Sequence, residues 1–340
     1  MNKQFDSGLV WLRRDLRLDD NAALHLALTH CRKVHCAFVF DRAILDPLPR
    51  ADRRVEFIRE SLVELDQALR EANGDPHCGL LVRHGQALEE IVALARELGV
   101  QSVFAAHDYE PSAIERDRMV FGALAHAGIA LHTVKDHVVF ERRELLTRTG
   151  TPYTVFTPYK KAWLALVNEQ QLQSHDITPH TPALAARAQA MRRPVPTLQE
   201  IGFAPSNLRA LKITPGISGA RALFADFFER MDQYHETRDY PSIKGPSYLG
   251  VHLRFGTVSI RRLAAAALQA SMTGSAGAAV WLSELVWREL PFDVPVVHVD
   301  ALWHQRQAQN SAHQWLRQTL ARSAAQALGT LMKAASLALT

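Results

Sequence analysis

Short apolar runs rich in β-branched residues alternate with helical stripes along the first part of the chain. The runs are Gly8–Leu12, Val34–Phe40, Gly79–Arg83, Ser102–Ala105 and Ile129–Val134, each of a length that suits one strand. Between them, Val55–Ala72 places Val55, Ile58, Leu62, Leu65 and Leu69 on one stripe, and Ala87–Leu98 does the same with Leu88, Ile91, Leu94 and Leu98. Ala22–Leu28 reads as a further helix after the first run. Strand–helix alternation with short connections predicts an α/β, Rossmann-like, doubly wound parallel sheet. Such a sheet binds ligands beyond the carboxyl ends of its strands. No G-x-G-x-x-G follows the first strand and no P-loop is present, which excludes an ordinary dinucleotide-binding domain.

Periodicity then fades. Residues 164–215 are polar and punctuated by Pro179, Pro182, Pro194, Pro196, Pro205 and Pro215, a composition that suits a connector draped over the surface. From Gly219 the helical pattern returns, with Leu223, Phe224, Phe227, Phe228 and Met231 on a broad apolar face, so the second domain reads as all-helical.

Charge sharpens this division. The overall +4 hides a net of −3 over residues 1–150 and +7 over residues 151–340, and a basic second half suits a polyanion. The three cysteines, Cys31, Cys36 and Cys78, show no metal-ligand spacing, which points to a reducing, cytoplasmic setting and no metal. No apolar run approaches the ~18 residues of a membrane span, and no signal-peptide core opens the chain.

Two segments carry candidate chemistry. Arg13-Arg-Asp-Leu-Arg-Leu-Asp-Asp-Asn21 reads on its own as a charged loop of internal salt bridges, with Asp20 or Asn21 capping the next helix. In Trp281-Leu-Ser-Glu284-Leu-Val-Trp287-Arg288-Glu289, a helical period puts Trp281, Glu284, Trp287 and Arg288 within an arc of about 120°. Two indoles beside a carboxylate and a guanidinium suit a flat ligand with hydrogen-bonding edges and a phosphate, such as a flipped base. The plainer alternative is an amphipathic helix whose indoles fill the core.

The first of these segments, taken from Val10 to Asn21, resembles the opening of the DNA photolyase/cryptochrome family. Four further segments agree with that family in order: Val155-Phe-Thr-Pro-Tyr-Lys-Lys-Ala-Trp163, Tyr234-His-Glu-Thr-Arg238-Asp-Tyr-Pro241, Gly245-Pro-Ser-Tyr-Leu-Gly-Val-His-Leu-Arg-Phe-Gly256-Thr-Val-Ser259 and Ser283-Glu-Leu-Val-Trp-Arg-Glu289. They resemble the start of the interdomain connector, the entry to the flavin site, the flavin phosphate-binding segment and the helix beneath the substrate. The pattern is most similar to a bacterial class I cyclobutane pyrimidine dimer photolyase.

The resemblance implies an antenna domain at 1–135, a connector at 136–215 and the start of a helical FAD- and DNA-binding domain at 216–290. Light-driven repair is the implied activity: reduced FAD passes an electron to a pyrimidine dimer in DNA, the ring splits, and the electron returns. Tyr234, Ser247, Tyr248, Leu249, Gly250 and Trp281 are the implied flavin contacts, with the pyrophosphate near Ser247 at the start of a helix over Tyr248–Phe255. Pro246 and Gly250 stand where the family usually has Thr and Ser. Arg238, Glu284, Trp287 and Arg288 are the implied DNA contacts. Trp287 would stack on the flipped pyrimidines, and Glu284, kept protonated by partial burial between indoles, would hydrogen-bond their edges. A second antenna chromophore of folate or deazaflavin type is implied, although Ser112 and Ala113 replace the Asn and Glu of the folate pattern. The protein is expected to be a monomer. A cryptochrome-like blue-light photoreceptor is the rival reading, and Glu284 with Trp287 favours repair.

The resemblance stops at Glu289. Residues 291–340 contain no Glu, Ile or Tyr and depart from the family pattern, with only a weak stripe through Leu316, Leu320, Ala324, Leu328 and Met332. A truncated or frameshifted helical domain is expected from this, with impaired repair.

Overall fold

Residues along β1 (Phe5–Leu12) alternate between two apolar layers: Val10 and Leu12 join one core, Leu9 and Trp11 another. A computed structural model describes residues 3–141 and 143–289, and the atypical tail after Glu289 lies outside the described residues. Helix α1 (Ala22–His30) leads into β2 (Cys31–Asp41), and α2 (Arg42–Leu45) and α3 (Arg53–Asn73) lead into β3 (Leu80–Gly85). Then follow α4 (Ala87–Glu97), β4 (Ser102–Ala106), α5 (Pro111–His126) and β5 (Ala130–Val134). The five strands are parallel, in the order β3-β2-β1-β4-β5, as the doubly wound prediction requires. Residues of α1 and α3 cover one face, and those of α4 and α5 the other.

Local signals explain the boundaries. Asn21 accepts from the Leu24 amide and caps α1, and Asp52 does the same for Arg54 at the start of α3. Gly74, with φ 75°, ends α3 in a left-handed turn. The connector holds more structure than its composition predicts. It contains α6 (Phe156–Leu166) and α7 (Glu169–Leu172), and a bridge pairs Leu184 with Val34 on β2.

Beyond the connector come α8 (Gly216–Phe228), α9 (Tyr234–Thr237), α10 (Gly250–Phe255), α11 (Ile260–Met272) and α12 (Ala276–Trp287). Phe227, Leu249, Leu263, Trp281 and Leu285 form their core, shared with Tyr159 and Trp163 of α6. The described residues pack as one compact unit.

The Arg13–Asn21 segment departs most from its sequence reading. Asn21 caps the helix as expected, but the ion pairs are not internal to the segment: Asp15, Arg17, Asp20 and Asn21 are buried, and Arg17 and Asp20 pair with distant residues. Arg17 donates to both oxygens of Asp136 at 2.9 and 2.8 Å. Arg261, at the start of α11, donates to Asp20 at 2.9 Å and to Asp136 at 3.0 Å. Ser259 donates to Asp20, and the Ala22 amide donates to Asp136 at 3.0 Å. Burial alone would raise the Asp136 pKa, but Arg17 and Arg261, with His137, outweigh it and hold the carboxyl well below its ordinary value. Gly256 closes the seam: its φ is +65°, and a Cβ there would lie 1.8 Å from the Arg14 carbonyl oxygen.

Removing one partner leaves buried charge uncompensated. Arg261→Leu is therefore expected to cost about 3–5 kcal/mol of unfolding free energy, measured by urea unfolding. A loss below ~1 kcal/mol would show that the network behaves like a surface ion pair.

Candidate functional site

Helix α12 presents a different side chain at each turn. Its Ser275 cap accepts from the Ala278 amide, and the helix packs along α11 and α9. Trp281 points into the core, 4.7 Å from the Phe227 ring and 6.1 Å from Phe224. For this indole the plainer reading, core packing, holds. Tyr234 is buried beside it, edge-on to Phe227 at 5.7 Å. One turn on, half-buried Glu284 accepts from the Arg238 guanidinium at 2.5 Å, and the Arg238 guanidinium also lies 5.8 Å from the Tyr234 ring. Glu284 is thus an ion-pair partner, where the sequence reading has a protonated acid between two indoles.

Trp287 ends the helix and is 47% exposed, lying flat on Phe156 of α6 with centroids 3.8 Å apart and planes 11° apart. Arg288 follows as the C-cap and is exposed. Desolvation of its guanidinium, together with the like charges of Arg14 and Arg254, pulls its pKa below the usual arginine value.

The phosphate-segment residues divide in the same way. Gly245 is buried with no room for a side chain, since a Cβ there would come 2.4 Å from the Thr237 carbonyl oxygen. Tyr248 takes a left-handed backbone, φ 57°, so helix α10 begins at Gly250 and has six residues, shorter than the predicted Tyr248–Phe255. Ser247 caps the turn, its hydroxyl 3.4 Å from the Leu249 amide. Tyr248 and Gly250 are exposed, whereas Leu249 is fully buried. Arg230, which the sequence reading missed, holds this segment by donating to the carbonyls of Lys244, Gly245 and Pro246 at 2.5, 2.7 and 2.9 Å. Its signal is faint: an arginine between Phe228 and Met231, off the apolar stripe, looks like any surface cation.

Glu289 was also missed, although it closes the Trp287 motif. It is buried, and its carboxyl accepts from the Val139 amide at 2.5 Å, the Phe140 amide at 3.3 Å and the Trp163 indole N–H at 2.6 Å. Burial pushes this carboxyl up to about 7, against the three N–H donors and Lys135, which pull it down.

A separate cavity of about 570 Å³ opens at the carboxyl ends of β1, β2 and β3, where ligands of such sheets sit. Trp11, Phe38, Phe40, Ile44 and Met119 give it apolar walls, with Arg14, Arg116 and Arg254 among its polar lining. Two guanidiniums lie over the Trp11 ring, with the Arg13 and Arg116 guanidinium carbons 4.5 and 5.2 Å from its centroid. Ser112 and Ala113 line this cavity. A larger, more polar cavity of about 920 Å³, lined by His25, Lys135, His175 and Arg261, contains none of the predicted site residues.

The profile described as DNA photolyase matches residues 8–184. The chain is 34% identical over 289 residues to an uncharacterized 31.6 kDa protein from the atpI 5′ region of Synechococcus sp. (strain PCC 6716), covering 83% of this chain and 98% of that one. It is 32% identical to the deoxyribodipyrimidine photo-lyase of Synechococcus sp. (strain ATCC 27144), covering 83% of this chain and 58% of that enzyme. Among solved structures it is similar to a bacterial class III photolyase from Agrobacterium tumefaciens, with a TM-score of 0.70 and 25% identity over 85% of this chain and 58% of that one.

The raised pKa of Glu289 sets a pH window. A carboxyl whose folded pKa is raised from 4.5 to about 7 contributes stability that is fully present below pH 4.5 and lost as pH rises through 7. Glu289→Gln, which is always neutral, removes that component. Below pH 4.5 both side chains are neutral, so the wild type's unfolding free energy should fall relative to the variant's as pH rises across the window, measured by denaturant titration. A pH-independent difference would refute the assignment.

Proposed function

This chain belongs to the DNA photolyase family, and on that premise we propose that it is an FAD-dependent deoxyribodipyrimidine photo-lyase acting on DNA that contains cyclobutane pyrimidine dimers. The chain spans 58% of the length of the named Synechococcus photo-lyase that it matches. We further propose that it works as a cytoplasmic monomer. Among the described residues no helix is long and apolar enough to cross a membrane.

The observation that carries this reading is the end of α12, where exposed Trp287 and half-buried Glu284 lie beside Arg238 and Arg288. An exposed indole supplies a stacking face for an unpaired base. The Glu284 carboxylate is an acceptor for a pyrimidine imide N–H, and it needs no proton for that role. Its pair with Arg238 lies partly in solvent, where such pairs are worth about 0–1 kcal/mol. A base edge can therefore displace the guanidinium, which turns to a backbone phosphate instead.

For the flavin, Ser247, exposed Tyr248 and the open backbone at Gly250 offer a hydroxyl, an aromatic edge and amides, and Arg230 fixes the turn that carries them. Trp281 and Leu249 back this ridge from within the core. Bound and reduced, the flavin supplies the photochemical electron that opens the cyclobutane ring. The protein's part is to hold the lesion against it and exclude water.

We assign a second chromophore to the cavity above β1 to β3. Its aromatic and aliphatic walls suit a flat, flavin- or deazaflavin-like ring, and its arginines suit an anionic tail. Riboflavin 5′-phosphate is expected to bind the full chain saturably and quench tryptophan emission, and Arg116→Ala is expected to weaken it several-fold. No quenching at millimolar ligand would remove this cavity from the proposal.

The purified full chain, denatured, should release FAD, and wild type should bind dimer-containing duplex more tightly than intact duplex. Trp287→Ala should lose roughly tenfold in dimer affinity with intact-duplex binding unchanged. Equal affinity for both duplexes, with no flavin released, would overturn the reading.

A further inference from the structure

The indole proposed to meet the lesion does not stand alone. Phe156 covers one of its faces at 3.8 Å, so that the two rings form one stacked step. Phe156 opens α6. Trp163 lies seven residues further along the same helix, two turns on and on the same side. Its indole N–H donates to Glu289, two residues beyond the end of α12. Tyr159, between them on α6, donates its hydroxyl to the Glu289 backbone carbonyl at 3.3 Å. The amides of Val139 and Phe140 complete the set from the segment after β5.

One residue thus gathers four donors from two segments at the point where Trp287 leaves the helix. A buried carboxyl is a costly way to fill space, since an apolar residue of similar size would pack there without desolvating a charge. What a carboxyl adds is direction. Its two oxygens accept several N–H groups at fixed angles, which sets the register of α6 against α12. The titratable groups facing it are Lys135, Tyr109 and Tyr159.

We infer that Glu289 is a positioning residue, which locks α6 to the end of α12 so that Phe156 backs Trp287 and the pair acts as a two-ring platform for a flipped pyrimidine. The inference rests on the reading of α12 as the lesion-facing helix. With one face closed by Phe156, the indole cannot fold back toward α6, and a base has a single face to meet.

Fluorine NMR of the full chain labelled with 5-fluorotryptophan tests this. The Trp287 resonance is assigned by its loss in Trp287→Phe, and Phe156→Leu gives its position without the neighbouring ring. In Glu289→Gln the Trp287 resonance should move most of the way toward that position. Affinity for dimer-containing duplex should fall roughly fivefold, a part of one stacking contact. Trp163→Phe, which removes one donor and keeps the core filled, should move the resonance in the same direction and carries the test if Glu289→Gln does not fold. A merely structural Glu289 would lower the melting temperature and leave the Trp287 resonance in place in both variants, which would overturn the inference. A shifted resonance with unchanged dimer affinity would also overturn it. If wild type fails to distinguish damaged from intact duplex, the photo-lyase reading falls, while the fluorine shift still decides whether Glu289 builds the platform.

Discussion

Two arginines and two aspartates, buried together, hold the molecule in one arrangement. Arg17 and Asp20 come from the turn after β1, Asp136 from just beyond β5, and Arg261 from the first turn of α11. Their charges cancel, and Ser259, the Ala22 amide and the His175 amide take up remaining oxygens. Such a cluster need not make the fold more stable than a hydrophobic plug would. Its effect is on register, because both carboxylates find their partners in this alignment of the segments. Helix α12 packs along α11, so the direction in which Trp287 and Glu284 face relative to the sheet is inherited from this network.

The regular part of this architecture was legible because it is periodic. Val55–Ala72 anticipates Arg53–Asn73, and the five apolar runs mark the five strands to within a few residues. Hydrophobic alternation reports burial directly, and the doubly wound topology follows from the order of the elements. The buried network was not legible for the opposite reason. Arg17 and Arg261 lie in charged, locally polar stretches, and their partners are more than a hundred residues away. Only a contact across the fold turns such a charge from surface to core.

The site shows the same division. A helical period correctly places Trp281 and Trp287 on one broad arc, but it cannot say that the first indole meets Phe227 while the second emerges beside Phe156. Tyr248 reads as the first residue of a helix, yet its backbone is left-handed and the helix starts two residues later. Pro246 and the Gly245 contact with Thr237 hold the chain in that turn, an influence that lies outside helical periodicity. Arg230 and Glu289 went unseen because their roles consist of carbonyls and amides supplied by distant backbone.

Two glutamates five residues apart on this segment therefore have opposite tasks. Glu284 meets its guanidinium partner at a half-exposed position, so its hydrogen bonds can be exchanged for those of a ligand at little cost. Glu289 is enclosed by three N–H donors, where losing a partner would strand a polar group away from water. A helix that must recognise a base while keeping its own aim needs both kinds, an acceptor that can change partners and one that cannot. Solvent access decides which is which, and it does so through α6: the helix that buries Glu289 with Trp163 leaves Trp287 half open over Phe156.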